Sequence, residues 1–132
     1  MKFNSLLPEL TVSDINISRE FYLLLGFKIM YERKEDNFIF IEREESQLML
    51  QQGGAEWRLA ELSYPYGNGI NFQIEIKGVK NLYEKLSGKV KMFKELFTDT
   101  YNCDGVSYTE LQFIVADPDG YLLRFSEVIE EK

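Results

Sequence analysis

The sequence has no histidine, one cysteine and three prolines among its 132 residues. Histidine is the commonest metal ligand and the side chain whose unperturbed pKa lies nearest neutrality. Its absence argues against most zinc, iron and nickel sites and against catalytic triads that use histidine. Cys103 alone cannot close an internal disulfide, which suits a reducing compartment. We therefore expect a cytoplasmic protein.

The sequence also lacks long apolar runs and clustered basic residues. No stretch approaches the roughly 18 consecutive apolar residues of a membrane helix. The chain has 15 Lys and Arg against 22 Asp and Glu, a formal net charge of −7. Phosphate binding requires clustered Lys and Arg, so nucleic acid is not an expected partner. The acidity either favours a cationic ligand or only keeps a solvated surface soluble.

What is present is one pattern of elements that occurs twice. In the first half an apolar segment leads through Ser13-Asp14, a helix-capping pair, into a helix that ends at Gly26. The second half has a helical stretch from Val79 to Gly88. The strand-like runs are residues 6–12, 27–33, 38–43 and 47–52 in the first half, and 70–76, 90–97, 108–116 and 121–127 in the second. Each half therefore reads βαβββ.

This order predicts an α+β fold in a single domain, residues 1–132. The domain contains two βαβββ modules at about residues 3–55 and 68–130. A long aromatic loop, Gly53–Gly69, joins them and is either functional or a linker that packs its aromatics. Its segment Glu56–Leu62 is compatible with a short helix.

Residue alternation assigns two faces to the predicted strands, because neighbouring side chains of a strand point to opposite sides. The apolar set Phe72, Ile74 and Ile76 must meet the helices. The other face collects amides, aromatics and one arginine, which is typical of a ligand pocket; a plain wet sheet face is the alternative. The candidate ligand-binding residues, with Trp57 added from the loop, are Glu9, Phe38, Phe40, Met49, Trp57, Asn71, Gln73, Glu75, Tyr108, Glu110, Gln112 and Arg124.

Two motifs connect the chain to a known family. The first is Val12-x-Asp14-Ile15-x-x-Ser18-x-x-Phe21-Tyr22-x-x-Leu25-Gly26-Phe27, and the second is Asp117-Pro118-Asp119-Gly120-Tyr121. With its paired modules, the chain resembles the vicinal-oxygen-chelate superfamily of glyoxalases, extradiol dioxygenases, fosfomycin-inactivating enzymes and bleomycin-binding resistance proteins. The resemblance spans almost the whole chain. It implies that the modules form a curved mixed sheet, a cup, with the helices on its outer face.

The resemblance also implies how the cup is used. The metal-ligand positions of the metal-dependent members correspond here to Leu7, Met49, Asn71 and Arg124. This set cannot hold a divalent ion, so neither a metal nor another cofactor is expected. The ending Asp-Pro-Asp-Gly-x-Leu-Leu-Arg resembles that of the metal-free bleomycin-binding proteins. That likeness implies a homodimer and places Phe38 and Tyr108 at ligand-stacking positions.

Three functions remain open at this point. The first is antibiotic resistance by drug binding, in which the cup sequesters a cationic, partly aromatic small molecule such as a bleomycin-type antibiotic. The second is a carrier or sensor of an unknown small ligand. The third is a metal-independent lyase-like or isomerase-like enzyme, in which Glu75 or Glu9 acts beside Arg124. For Arg124 we predict a position inside the cup and a carboxylate partner, Glu9 or Glu75.

Overall fold

The computed structural model describes all residues, 1–132, and divides into two compact units. Unit 1 comprises residues 1–68 together with 118–120, and unit 2 comprises residues 69–117 together with 121–132. Each unit contains one helix and a four-stranded mixed sheet. The predicted α+β class and the two βαβββ modules are confirmed. Neither helix has the length and apolarity needed to cross a membrane.

Unit 1 forms its sheet in the order β1-β4-β3-β2. Its elements are β1 (Glu9–Val12), α1 (Ile15–Leu24), β2 (Lys28–Arg33), β3 (Phe38–Arg43) and β4 (Ser46–Gln52). The β1 strand is parallel to β4, and the other pairs are antiparallel. The Asp14 side chain caps α1 by accepting hydrogen bonds from the backbone N–H groups of Asn16 and Ile17. The chain leaves the helix through Gly26, whose φ is +94°.

Unit 2 forms its sheet in the order β5-β8-β7-β6. Its elements are β5 (Asn71–Glu75), α2 (Val79–Leu86), β6 (Met92–Cys103), β7 (Val106–Ala116) and β8 (Leu122–Glu131). The β5 strand is parallel to β8, and the other pairs are antiparallel. The Glu127 carboxylate of β8 accepts hydrogen bonds from the N–H groups of Gly78 and Val79, each at 3.1 Å, and so attaches the start of α2 to the sheet.

The apolar face of each sheet packs against its helix, as alternation predicts. In unit 1 Leu48 and Leu50 are buried, and Tyr22 of α1 is fully buried with its ring edge against Phe27. In unit 2 Tyr83 of α2 contacts the ring of the fully buried Phe113 at 5.5 Å between centroids. The opposite face of each sheet is therefore left for other contacts.

Residues 118–120 of the Asp117–Gly120 turn belong to unit 1 and form hydrogen bonds within it. The Asp119 carboxylate accepts a hydrogen bond from the Ser13 N–H at 3.1 Å, and its backbone carbonyl accepts one from the Tyr66 N–H at 2.8 Å. Gly120 has φ +87°, and a Cβ added there would lie 2.5 Å from Cβ of Pro65. Only glycine fits such an approach without displacing its neighbour.

Two predicted segments differ in the structure. A single 3-10 turn at Ala55–Trp57 replaces the short helix considered for Glu56–Leu62. The β6–β7 hairpin runs further than its apolar pattern indicates, because Asp104 and Gly105 adopt φ +51° and +86° in a two-residue turn that lets polar strand ends pair. The extension brings Tyr101 opposite Tyr108.

Candidate ligand-binding site

Seven of the candidate residues lie on one surface, the sheet face of unit 2 opposite α2, which we call the polar face. The strand register places directly paired residues on the same face. By this criterion the candidates Asn71, Gln73, Glu75, Tyr108, Glu110, Gln112 and Arg124 share the polar face with Lys94, Phe97, Asp99, Tyr101, Ile114 and Ser126. The structure thus brings the second-half candidates together.

Side-chain hydrogen bonds connect the centre of the polar face. The Gln73 amide nitrogen donates to the Glu110 carboxylate at 3.3 Å and lies 3.1 Å from the Ser126 hydroxyl. The Gln112 amide nitrogen donates to the other Glu110 oxygen at 3.1 Å. Arg124 Nη2 donates to the Gln73 amide oxygen at 3.1 Å. These five residues, the polar network, fix the orientation of Glu110.

Glu110 is a buried carboxylate without a cationic partner. Its exposed fraction is 5%, and no ion pair in the structure includes it. Asp99, a second carboxylate, is its direct partner across β6 and β7. Buried charges in proteins are usually paired with an opposite charge, and like charges directly opposite in a sheet are destabilising. The site is therefore electrostatically suited to a cation.

Two stacked tyrosines lie next to Glu110 on the polar face. The rings of Tyr101 and Tyr108 are 5.7 Å apart between centroids at an interplanar angle of 27°. Partial burial, and then the charge of Glu110, raise the pKa of Tyr101 above its ordinary value. A hydrogen bond with Glu131, its partner on β8, is the main cause that raises the pKa of Tyr108. Both phenols therefore stay neutral at neutral pH, with their rings available for stacking.

The predicted pairing of Arg124 with a glutamate is wrong. Arg124 lies opposite Gln73 on β5 and bonds to that amide, not to Glu9 or Glu75. The reason is the register: Glu75 lies opposite Ser126, two positions along β8 from Arg124. Its position on the face away from α2 agrees with the predicted alternation, since Leu123 and Phe125 are fully buried. Asn71 and Glu75 are exposed on the same face.

The first-half candidates lie in unit 1 and have different surroundings. Phe38, Phe40, Met49 and Glu9 share the face opposite α1, as predicted. However, Phe38 and Phe40 are only 3% and 0% exposed. Tyr31 covers both rings, with centroids 5.8 and 5.6 Å away, and Phe3 packs on Phe40 at 5.2 Å. The Arg33 guanidinium also lies 3.9 Å from the centroid of the Phe38 ring. These aromatics pack against their own unit, and ligand stacking on them would require Tyr31, Phe3 or Arg33 to move.

The segment that contains Phe3 is held across this face by Gln47. The Gln47 side chain accepts a hydrogen bond from the Asn4 N–H at 2.7 Å and donates one to the Lys2 carbonyl at 2.9 Å. Trp57, the remaining candidate, is the last residue of the 3-10 turn and is 74% exposed. The unit 1 candidates are thus not gathered around one polar cluster, in contrast to those of unit 2.

The fold of the chain is shared with proteins of known structure. No family model and no curated protein matches the chain. A glyoxalase/bleomycin resistance protein/dioxygenase from Alicyclobacillus acidocaldarius is similar over 96% of this chain and 92% of its own, with 21% identity and a TM-score of 0.67. The chain has the glyoxalase/bleomycin resistance protein/dioxygenase fold.

Two further solved structures are similar to the chain. An integron cassette protein from Vibrio cholerae is 24% identical over 96% of this chain and 97% of its own, with a TM-score of 0.67. A glyoxalase/bleomycin resistance protein/dioxygenase superfamily member from Vibrio splendidus 12B01 is 32% identical over 93% of this chain and 97% of its own, with a TM-score of 0.44.

Four positions of this chain correspond to the metal-ligand positions of the superfamily's metal-dependent members. Their side chains are not a set of metal ligands. Leu7 and Met49 are half-buried in unit 1, and Asn71 and Arg124 belong to the polar face of unit 2. The structure contains no group of three or more His, Cys, Asp or Glu residues placed to hold an ion. The guanidinium of Arg124 instead presents hydrogen-bond donors, which suit an oxygen acceptor of a ligand.

Tyr101 is a site residue that the sequence pattern does not identify. The predicted strand ends at residue 97, because the Thr98–Asn102 stretch is polar and carries no apolar alternation to mark a strand. The turn residues Asp104-Gly105 are the signal for a hairpin that extends to Tyr101.

A cleft of about 500 Å³ lies elsewhere, in unit 1 beside α1, and is lined by Asn16, Arg19, Glu32 and Lys34 among others. It contains none of the polar-face residues.

Proposed function

We propose that this protein binds a cationic, partly aromatic small molecule at the polar face of unit 2, without a metal. A bleomycin-type antibiotic is the ligand class that the resemblance to metal-free resistance proteins favours, and sequestration of the drug is the corresponding function. The observation that supports this proposal is Glu110, a carboxylate 5% exposed and without a cationic partner. A bound ammonium or guanidinium group supplies that partner.

The neighbours of Glu110 fit the same ligand. Gln73 and Gln112 hold its two carboxylate oxygens with their amide N–H groups, so the carboxylate is oriented before the ligand arrives. Preorganisation of this kind lowers the cost of binding. Asp99, directly opposite, adds a second negative charge. A cation placed between them relieves their mutual repulsion.

The stacked rings of Tyr101 and Tyr108 supply the aromatic part of the site. Tyrosine faces attract flat rings by stacking and cations by their negative electrostatic potential. The two residues lie next along β6 and β7 to the Asp99–Glu110 pair on the same face. One ligand with a cation beside an aromatic ring therefore reaches both features.

Titration calorimetry with metal-free bleomycin and with tryptamine, a small aromatic cation, tests the proposal. We expect saturable binding of at least one of them by the wild-type protein. The Glu110→Gln variant should bind it at least about tenfold more weakly, since a charge-assisted contact is lost. Glu84→Gln, an exposed carboxylate change on α2 with the same net charge, serves as the matched control. Equal binding by Glu110→Gln and Glu84→Gln would contradict the proposal.

An enzyme that uses a carboxylate is the second candidate. The observation in its favour is that the polar network connects Glu110 through Gln73 to Arg124, so that an acid–base group and an anion-binding group share one face. A stoichiometric complex that is recovered chemically unchanged after incubation supports binding alone. Conversion of the ligand, lost in Glu110→Gln, supports the enzyme. A carrier or sensor shares the site and differs only in its cargo.

We also propose that the protein is a homodimer, as the resemblance to bleomycin-binding proteins implies. Symmetric dimers are the commonest oligomers of soluble proteins. Light scattering coupled to size-exclusion chromatography measures the mass directly, and a species of 15.5 kDa would contradict the dimer.

A further inference from the structure

The polar face of unit 2 has opposite charges at separate positions along its strands. Lys94, Ile114, Arg124 and Gln73 form one row across the four strands, since each is paired with the next. Asp99, Glu110 and Val128 form a second row. Arg124 and Val128 are separated by four positions on β8, which corresponds to about 13 Å at the rise of a strand. Lys94 and Arg124 thus lie in one row and Asp99 and Glu110 in the other, while Glu75 lies between them in the row of Ser126 and Gln112.

Arg124 offers more donors than the chain has acceptors for. Its Nη2 bonds to the amide oxygen of Gln73, while its Nε is buried without a hydrogen-bond partner. A guanidinium has five N–H groups in a planar fork that matches a carboxylate, and it is usually satisfied by one when it is not in water. No carboxylate of the chain forms an ion pair with Arg124. The Nε–H group of Arg124 therefore suits an anionic oxygen acceptor.

Lys94 adds a second positive charge to this row. Its ammonium lies 3.9 Å from the ring centroid of Phe97, which belongs to the same face. Lys94 is paired with Ile114, which is in turn paired with Arg124. The Cα atoms of Lys94 and Arg124 are therefore two strand spacings, or about 10 Å, apart. Long flexible side chains at that distance can converge on one anionic group.

We propose that the ligand is dipolar, with a carboxylate-like group that Arg124 and Lys94 bind and an ammonium-like group that Glu110 and Asp99 bind. The spacing of its charges matches Arg124 and Glu110, which the single Gln73 amide bridges at 3.1 and 3.3 Å. This inference rests on the proposed function and makes its ligand class narrower. A cation alone satisfies Glu110 and leaves the Nε of Arg124 without an acceptor. A molecule that carries both charges at this spacing satisfies both rows at once.

The tripeptide Trp-Gly-Gly and its C-terminal amide are suitable probes. Three residues separate the terminal ammonium from the terminal carboxylate by at most about 10 Å, so a bent tripeptide can place its two termini at the two ends of the Gln73 bridge. The amide keeps the ammonium and the indole ring but lacks the anionic group. By calorimetry we expect wild-type protein to bind the acid about tenfold more tightly than the amide, as a charge-assisted contact provides.

Variants assign that preference to residues. Arg124→Gln should bring the acid-to-amide ratio close to one, and Arg124→Lys should leave an intermediate ratio, because it keeps the charge without the fork. Glu110→Gln should weaken both peptides by a similar factor and preserve the ratio. Lys85→Gln, an exposed change of the same charge on α2, should change nothing. Lys94→Gln, which lies on an exposed strand position, replaces Arg124→Gln if that variant does not fold.

The outcomes separate the two proposals. If wild-type protein binds acid and amide equally, or if Arg124→Gln and Lys94→Gln both keep the preference, the dipolar ligand is overturned while cation binding stands. If neither peptide binds, the dipolar ligand is overturned as well. The bleomycin and tryptamine titrations then decide independently whether the proposed function survives.

Discussion

Asp99 and Glu110 lie directly opposite each other on β6 and β7, so that two carboxylates form one cross-strand pair. Like charges in such a pair oppose folding. We therefore expect Asp99→Asn to raise the denaturant midpoint of the ligand-free protein and, at the same time, to weaken the binding of an aromatic cation. Chemical denaturation and calorimetry measure the two effects. Glu84→Gln is the control, and a variant that binds more tightly would contradict the charge argument.

Tyr108 should contribute to affinity through its ring. Tyr108→Ala removes one half of the stacked pair with Tyr101, and we expect the affinity for an aromatic cation to fall by roughly tenfold or more. Tyr108→Phe keeps the ring and should retain most of the affinity. A loss in Tyr108→Phe as large as that in Tyr108→Ala would assign the effect to the hydroxyl group.

Phe40 should contribute to stability and not to ligand binding. It is fully buried beneath Phe3 and Tyr31, so Phe40→Ala should lower the free energy of unfolding by about 3–5 kcal/mol. Phe93→Ala, at a residue that is 61% exposed, is the matched control and should change little. Thermal or urea unfolding checks both. A stable Phe40→Ala protein that loses ligand affinity would restore Phe40 to the site.

Gly120 should tolerate no side chain. Gly120→Ala places a Cβ 2.5 Å from Cβ of Pro65 and 2.9 Å from its Cα, at φ +87°. Gly105 has almost the same φ, +86°, with nothing within 4 Å of an added Cβ. Both alanine variants carry the backbone strain, so the difference in their unfolding free energies isolates the close approach, which we expect to cost about 1–3 kcal/mol. Equal losses would show that Pro65 can move away.

Stability should fall at alkaline pH because of three tyrosines. A hydrogen bond with Glu95 raises the pKa of Tyr83, and a hydrogen bond with Glu131 raises the pKa of Tyr108. Partial burial, and then the charge of Glu110, raise the pKa of Tyr101. A raised pKa in the folded state means that the neutral phenol is stabilised by folding. This stabilisation is complete below the unfolded value of about 10 and is lost as the pH rises through the higher folded value.

Urea unfolding at about pH 9 and about pH 11 measures the alkaline loss, and tyrosinate absorbance follows the titration. The Tyr83→Phe and Tyr101→Phe variants should each have a smaller loss than wild type. Titration of all tyrosines at the unfolded value would contradict the assignment.

Added divalent metal ions should not bind at the four positions that correspond to the metal ligands of the superfamily's metal-dependent members. Leu7 and Met49 offer no oxygen or imidazole donor, and the charge of Arg124 repels a cation. Calorimetry with zinc and with manganese should give no stoichiometric binding and no glyoxalase activity. Stoichiometric binding that Glu110→Gln or Asp99→Asn abolishes would identify a carboxylate site for a hard ion.

Much of the secondary structure follows from the sequence because its signals are local. Asp14 caps α1 within the same turn, and α2 ends as Gly88 predicts. The strand β3 has the predicted bounds Phe38–Arg43. Its side chains alternate between the two faces, so the register of β4 against it carries Leu50 to the core. These features depend on residues that are neighbours along the chain, and the face of each candidate side chain could therefore be predicted.

The partners of those side chains depended on residues far apart in the sequence. Alternation put Phe40 and Tyr108 on equivalent faces of their sheets. In the structure, Phe3 and Tyr31 cover the ring of Phe40. The ring of Tyr108 instead stacks on Tyr101. Likewise, alternation placed Arg124 correctly and the register gave it Gln73 in place of a glutamate. Sequence patterning determines which way a side chain points. Strand register and packing decide what it meets, because burial and pairing are properties of contacts between distant segments.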